Sequence, residues 1–134
     1  MRDTRSIRTG ALAIAALLMV FGAVGNALVV VPDLHGDLIE IGVRPTVLGA
    51  TIHGLYFAAL ANFGFAIMVS AAALESARGI TPARMPLAVA AVIYTITGVI
   101  AFSRSHNPHH FAPVAMGALL LIAVALSREA SLKV

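Results

Sequence analysis

The sequence predicts an all-α protein: a polytopic transmembrane four-helix bundle with short connecting loops, forming a single domain over residues 1–134. Three observations predict it. Hydrophobic residues make up 60% of the chain and charged residues 11%, where a soluble domain carries roughly 25% charged residues. Mean hydropathy is +0.95, and a chain this short has too much surface to hide that apolar mass from water. The apolar residues also gather into four segments of membrane-spanning length, so lipid is the expected solvent for much of the exterior.

The first segment runs over residues 10–31, with Asn26 its only strongly polar residue. As a helix it measures about 33 Å, against a hydrocarbon core of about 30 Å. Arg2, Arg5 and Arg8 precede it, and Ala23-Val24-Gly25 resembles a small-residue cleavage site, which is the pattern of a signal peptide. The run stays apolar through Val31, longer than an h-region of about 7–15 residues, so it is read as a retained span.

The second span covers residues 47–74 and carries Thr51, His53, Asn62 and Ser70; the third covers residues 85–102. The fourth is placed over residues 108–126. Asn107 and Pro108 have the form of an N-cap and a first helical residue. Pro113 then lies inside the helix and is expected to kink it, because its missing N–H would have bonded to the carbonyl of His109.

The longest connection, Pro32 to Thr46, holds Asp33, Asp37, Glu40 and Arg44 at spacings of 4, 3 and 4, with Leu34, Leu38 and Ile41 on a neighbouring face. It reads either as a short helix on the outer membrane surface or as an irregular loop broken by Gly36 and Gly42. Glu75 to Arg84 is a turn ending in Thr81-Pro82. Ser103 to Asn107 is a tight turn, which predicts that the third and fourth helices pack antiparallel.

Basic residues set the orientation. Arg2, Arg5, Arg8, Arg78, Arg84, Arg128 and Lys133 fall on one side, and only Arg44 and Arg104 on the other. The positive-inside rule then places both termini in the cytoplasm, with the chain in the cell (inner or plasma) membrane. The net charge of +3 would point to nucleic acid in a soluble domain. Here the basic residues end apolar runs, where they orient helices and meet headgroups, so the bilayer is the expected partner and nucleic acid is not. With no cysteine, disulfides, thiolate ligands and dithiol redox chemistry are excluded.

The five histidines, His35, His53, His106, His109 and His110, all fall at or near the outer face, together with Asp33, Asp37 and Glu40. Histidine titrates near neutral pH and ligates transition metals. One reading is a metal site of His106, His109 and His110 completed by His35, Asp37 or His53. The other is a polar, interfacial helix start. His53 lies about one and a half turns into its span, at the depth of Asn26 and Thr97, by the ~1.5 Å rise of a helix. These residues, with His109 and His110, are expected to line an outer pocket; alternatively, His53 and Asn26 serve as hydrogen-bonding glue between helices. A haem or a transition metal is the cofactor such a site would take, although no specific motif such as His-Glu-x-x-His is present. Asn62 lies near the bilayer middle, nine residues from His53 and so on the opposite helix face, aligned with Ala58 and Ala66. Asn62, Gly22 and Gly98 are read as close-packing positions, within the chain or in an oligomer.

In layout, the Gly-rich first helix, the outer Pro32 loop, Arg44-Pro45 before Gly54-Leu55-Tyr56, and the Phe102-Ser103-Arg104 end of the third helix resemble small bacterial four-helix membrane proteins of the DoxX-like type. The resemblance implies the topology and carries over no catalytic residue, since many such proteins have no assigned activity. No motif reaches the specificity of a catalytic signature. The expected function is therefore an accessory, structural or oligomer-forming membrane component, partnered by its own copies or by a membrane complex. The alternative is a redox-, metal- or proton-linked protein using the outer histidines, with a solute-conducting oligomer as a third reading.

Overall fold

Pro32 does not end the first helix. In the structure, a computed structural model that describes residues 2–106 and 111–131, α1 (Arg2–Gly25) passes through a π-helical segment, Asn26–Val30, into α2 (Val31–Glu40). A proline lacks the N–H that would bond four residues back, and its ring crowds the carbonyl there. The turn ahead of Pro32 is widened accordingly. The Val31 N–H donates to the carbonyl of Asn26, five residues back, which is the π-helical pattern. Asp33, the next residue, is exposed on α2.

Three further helices follow: α3 (Pro45–Ala77), α4 (Arg84–Ser105) and α5 (Phe111–Ser131). The rod from Thr4 to Glu40, α3, α4 and α5 are each long and apolar enough to cross a bilayer. The architecture is all-α with four such helices. Its boundaries differ from the hydropathy reading in one direction. The connection from Pro32 is helical through Glu40 rather than an irregular loop, and it continues the first helix instead of starting a separate one. The second span is Pro45–Ala77 rather than 47–74, and the third is Arg84–Ser105 rather than 85–102. The fourth is described over Phe111–Ser131, where 108–126 was expected; residues 107–110 lie outside the described residues, and with them the expected N-cap and the His109 carbonyl. Backbone helicity runs on past the last apolar residue because polar side chains at a helix end are simply solvated.

Two turns reverse the chain in the same way. After α2, the Val43 N–H bonds to the Leu38 carbonyl at 3.1 Å; after α3, the Ile80 N–H bonds to the Glu75 carbonyl at 2.9 Å. Each closure needs a left-handed residue, supplied by Gly42 (φ 73°) and Gly79 (φ 86°). Pro45 then opens α3 from an extended Arg44.

α1 packs on α3 and on α5, α5 packs on α4, and α2 packs on the start of α3. The buried positions repeat at three and four residues: Leu12, Ala15, Ala16 and Met19 on α1; Ala66, Val69 and Ala72 on α3; Leu87, Ala90, Ala91 and Tyr94 on α4; Met116, Leu120 and Ala123 on α5. Half of these are alanine, so helix axes approach closely, as helices in a bilayer do. The tightest approach is at Gly117. A Cβ there would overlap the Thr95 hydroxyl oxygen and lie 2.9 Å from the Ala91 carbonyl oxygen. Outward faces carry large apolar side chains, with Phe57 75% and Phe21 72% exposed.

The 33-residue α3 measures about 50 Å and the 22-residue α4 about 33 Å, taking ~1.5 Å per residue. At the end away from the termini, α2 and the first turns of α3 therefore extend past α4.

Candidate functional site

The α3–α4 seam is the loosest side of the bundle. The two helices meet at Phe65 and Tyr94, whose rings lie edge to face with centroids 6.0 Å apart. On one side of this contact is a small hollow of about 190 Å³ beside Glu75 and Pro86. On the other, towards the end away from the termini, is a pocket of about 390 Å³. Its walls come from all four rods. The π-helical segment gives Asn26 and Val30, α2 gives Val31, α3 gives Leu55, Ala58, Asn62 and Phe65, α4 gives Ile93, Tyr94 and Thr97, and α5 gives Pro113. Val31, Ala59 and Tyr94 are buried at its floor, while Asn26, Ala58, Ala61, Ile93 and Thr97 are exposed at its rim. The pocket therefore opens sideways, onto the surface that faces out of the bundle.

The lining is mostly apolar, with four neutral polar side chains: Asn26, Asn62, Tyr94 and Thr97. Two of them carry buried atoms, Asn62 Oδ1 and Tyr94 Oη, with no hydrogen-bond partner among the described residues. A buried polar atom left unpaired costs roughly 1–3 kcal/mol. Tyr94 is only 8% exposed, so solvent does not offset that cost from outside. No acid, base or histidine lines the pocket. The Asn62 amide nitrogen faces α1, 3.5 Å from where a Cβ on Gly22 would stand.

The structure thus brings together Asn26 and Thr97, placed at one depth from the sequence, and adds Asn62 to them. It does not add His53. That ring is exposed, and its Nδ1 lies 2.7 Å from the carbonyl oxygen of Gly49 one turn earlier. With Nδ1 donating there, the tie is to its own helix rather than to a neighbour. His35 and Asp37 are exposed on α2. His106 caps α4 in the left-handed conformation, its N–H on the Phe102 carbonyl and its ring 5.9 Å from that of Phe102. His109 and His110 lie outside the described residues. Among the described residues no three His, Asp or Glu side chains gather closely enough to hold a metal ion. Gly98 is buried on α4.

A second polar cluster ties the ends of α1 and α3. The buried Arg8 Nε donates to Ser76 Oγ at 2.9 Å, and Thr9 Oγ1 lies 2.7 Å from the same oxygen. Arg5 Nε donates to the Ser76 carbonyl at 3.1 Å, and its Nη2 donates to the Ala77 carbonyl. Both carbonyls lie at the negative end of α3, where a guanidinium is favoured, and that of Ser76 also accepts from the Gly79 N–H at 3.0 Å.

Sequence reasoning missed Tyr94 and Ser76. Tyr94 stands three residues before Thr97 and hence on its face, a signal that was available. Ser76 had none, since its role depends on the α1–α3 approach. An apolar groove of about 470 Å³ lies between α1 and α3, lined by Ala23, Val24, Ala27, Leu28, Tyr56, Ala59, Leu60 and Phe63.

The chain matches no family model, no curated protein and no solved structure.

Proposed function

We propose that the chain is a multi-pass protein of the cell membrane, with both termini in the cytoplasm, that acts as a small accessory or oligomer-forming membrane component. One observation carries this reading. In the most apolar stretch of each of the four helices, 28% or less of the residues are buried inside the chain. Most of each helix therefore faces lipid or a neighbour, and for a chain of 13.8 kDa that is a large surface offered outward. The neutral polar groups within the bundle favour binding and packing over acid–base chemistry, because amides and hydroxyls stay un-ionised at neutral pH.

Orientation rests on the basic residues. Arg5, Arg8, Arg78, Arg84 and Arg128 lie towards the end of the bundle that carries the termini, and Arg44 and Arg104 at the opposite end. The proposed kinship is with small membrane proteins of the DoxX-like type, supported by the layout of the Gly-rich first helix, the Arg44-Pro45 start of α3 and the Phe102-Ser103-Arg104 end of α4.

The test is extraction followed by mass determination. The chain is expected to stay in the membrane through alkaline carbonate. In mild detergent, light scattering corrected for bound detergent should give a protein mass above that of one 13.8 kDa chain. Release by carbonate would contradict the membrane reading, and a single-chain mass would contradict the oligomer or complex.

A further inference from the structure

We propose that Arg5 and Arg8, gathered on the end of α3, bind the phosphate group of an anionic phospholipid at the end of the bundle that carries the termini. The inference rests on the membrane reading above.

Two guanidinium groups converge on one residue. Arg8 Nε lies 2.9 Å from Ser76 Oγ, and Arg5 Nε lies 3.1 Å from the Ser76 carbonyl oxygen. The acids whose side chains are described stand elsewhere. Asp33, Asp37 and Glu40 are on α2 at the opposite end, and Glu75 lines the hollow on the α3–α4 side with Pro86 and Leu87. Arg8 is only 5% exposed, and a charge withdrawn from water in this way is costly unless an anion compensates it. Donors remain for that anion. Arg8 bonds through Nε alone among the described residues. Its terminal nitrogens are not among the sealed, unpaired atoms, which are Asn62 Oδ1, Tyr94 Oη and Thr95 Oγ1, so they open onto the surface. Arg5 is exposed, uses Nε and Nη2 on the Ser76 and Ala77 carbonyls, and keeps Nη1. The planar fork of a guanidinium matches the oxygens of a phosphate.

Depth and charge name its source. Arg8 stands two residues before the apolar run that begins at Gly10, and Ser76 two residues after the run that ends at Leu74. At ~1.5 Å per residue both lie about 3 Å outside the hydrocarbon, within a headgroup layer of roughly 5–8 Å on each side. Lipid phosphates occupy that layer, and anionic lipids attract basic residues there. A zwitterionic head would bring a third cation to the two arginines, which disfavours it.

The test is native mass spectrometry of the detergent-solubilised chain with four additives: phosphatidylglycerol, phosphatidylcholine and diacylglycerol with the same acyl chains, and inorganic phosphate. A one-to-one adduct is expected with phosphatidylglycerol, and adducts at least roughly tenfold weaker with the others. Arg5→Gln should weaken the phosphatidylglycerol adduct roughly tenfold, the loss of one charge-assisted hydrogen bond, and Arg8→Gln at least as much. Should Arg8→Gln fail to fold, Arg5→Gln and the comparison of additives on the parent chain still decide. Arg84→Gln, which alters an exposed arginine at the start of α4, should leave the adduct unchanged. Equal adducts with phosphatidylcholine or diacylglycerol, or none with any additive, would overturn the proposal. An equal adduct with inorganic phosphate would overturn it in favour of a soluble phosphate ligand. Equal weakening by Arg84→Gln and Arg5→Gln would overturn it in favour of diffuse attraction to the basic end. None of these results bears on whether the chain stays in the membrane through carbonate, so a failed site and a failed membrane reading are told apart.

Discussion

Arg8 Nε lies 2.9 Å from Ser76 Oγ, joining the start of α1 to the end of α3 inside a buried contact. The same hydroxyl meets Thr9, and Arg5 holds the backbone carbonyls of Ser76 and Ala77. A buried guanidinium that loses its partner retains its desolvation cost, and hydrogen bonds to charged groups contribute roughly 1.5–3 kcal/mol. Ser76→Ala should therefore lower the unfolding temperature in detergent by an amount corresponding to about 2 kcal/mol. Ser103→Ala, which removes a bond from an exposed hydroxyl to its own helix at Ile100, should change stability by less than about 0.5 kcal/mol. Equal effects of the two substitutions would show that the Arg8–Ser76 contact holds nothing together.

Gly117 and Gly22 should respond differently to the same change. At Gly117 an added Cβ overlaps Thr95 Oγ1 and comes within 2.9 Å of a backbone oxygen on α4. Backbone gives way only by moving α4 and α5 apart, so Gly117→Ala should destabilise by about 1–3 kcal/mol. At Gly22 the Cβ stands 3.5 Å from the Asn62 amide nitrogen, an ordinary contact, and Gly22→Ala should be near neutral. Thermal unfolding of both variants in one detergent checks the contrast, and an order reversed from this would contradict the packing described.

Asn62 carries a prediction of opposite sign. Its Oδ1 is buried without a partner among the described residues, so replacing it by leucine removes an unmet acceptor rather than a made bond. Asn62→Leu should leave the chain no less stable than the parent in detergent, with a gain of up to about 1–3 kcal/mol. Loss of stability would instead mean that Asn62 holds the helices together directly.

The four helices were legible because an apolar run of about 18 residues or more reads as a helix of membrane-spanning length, whatever its tertiary contacts. Their ends were less so. Hydropathy stops at Val31 and Leu74, whereas the helical backbone continues to Glu40 and Ala77. Pro32 and Gly36 read as breakers, yet the π-helical turn ahead of Pro32 accommodates the ring, and α2 carries Gly36 in its middle. The pocket was half legible. Depth alone placed Asn26 with Thr97, because the first rod and α4 both run away from the end that carries the termini, so residues at matching heights can meet. Depth does not give azimuth, however. His53 has the depth and not the face, while Asn62, nine residues on, has the face. The Arg8–Ser76 contact was hidden because an arginine that orients a helix and an arginine that fastens one look the same in sequence.

The central claim, a bundle threaded through a membrane with its termini on the cytoplasmic side, is tested most directly by labelling single cysteines. The chain has none of its own, so each substitution is the only thiol. Thr46 is exposed at the start of α3, and Thr81 is exposed in the turn between α3 and α4. In intact cells, Thr46→Cys should react with a membrane-impermeant maleimide, and Thr81→Cys should react only after the membrane is opened. Labelling of Thr81→Cys in intact cells, with Thr46→Cys protected, would contradict the orientation, and free labelling of neither or both would contradict a membrane-crossing α3.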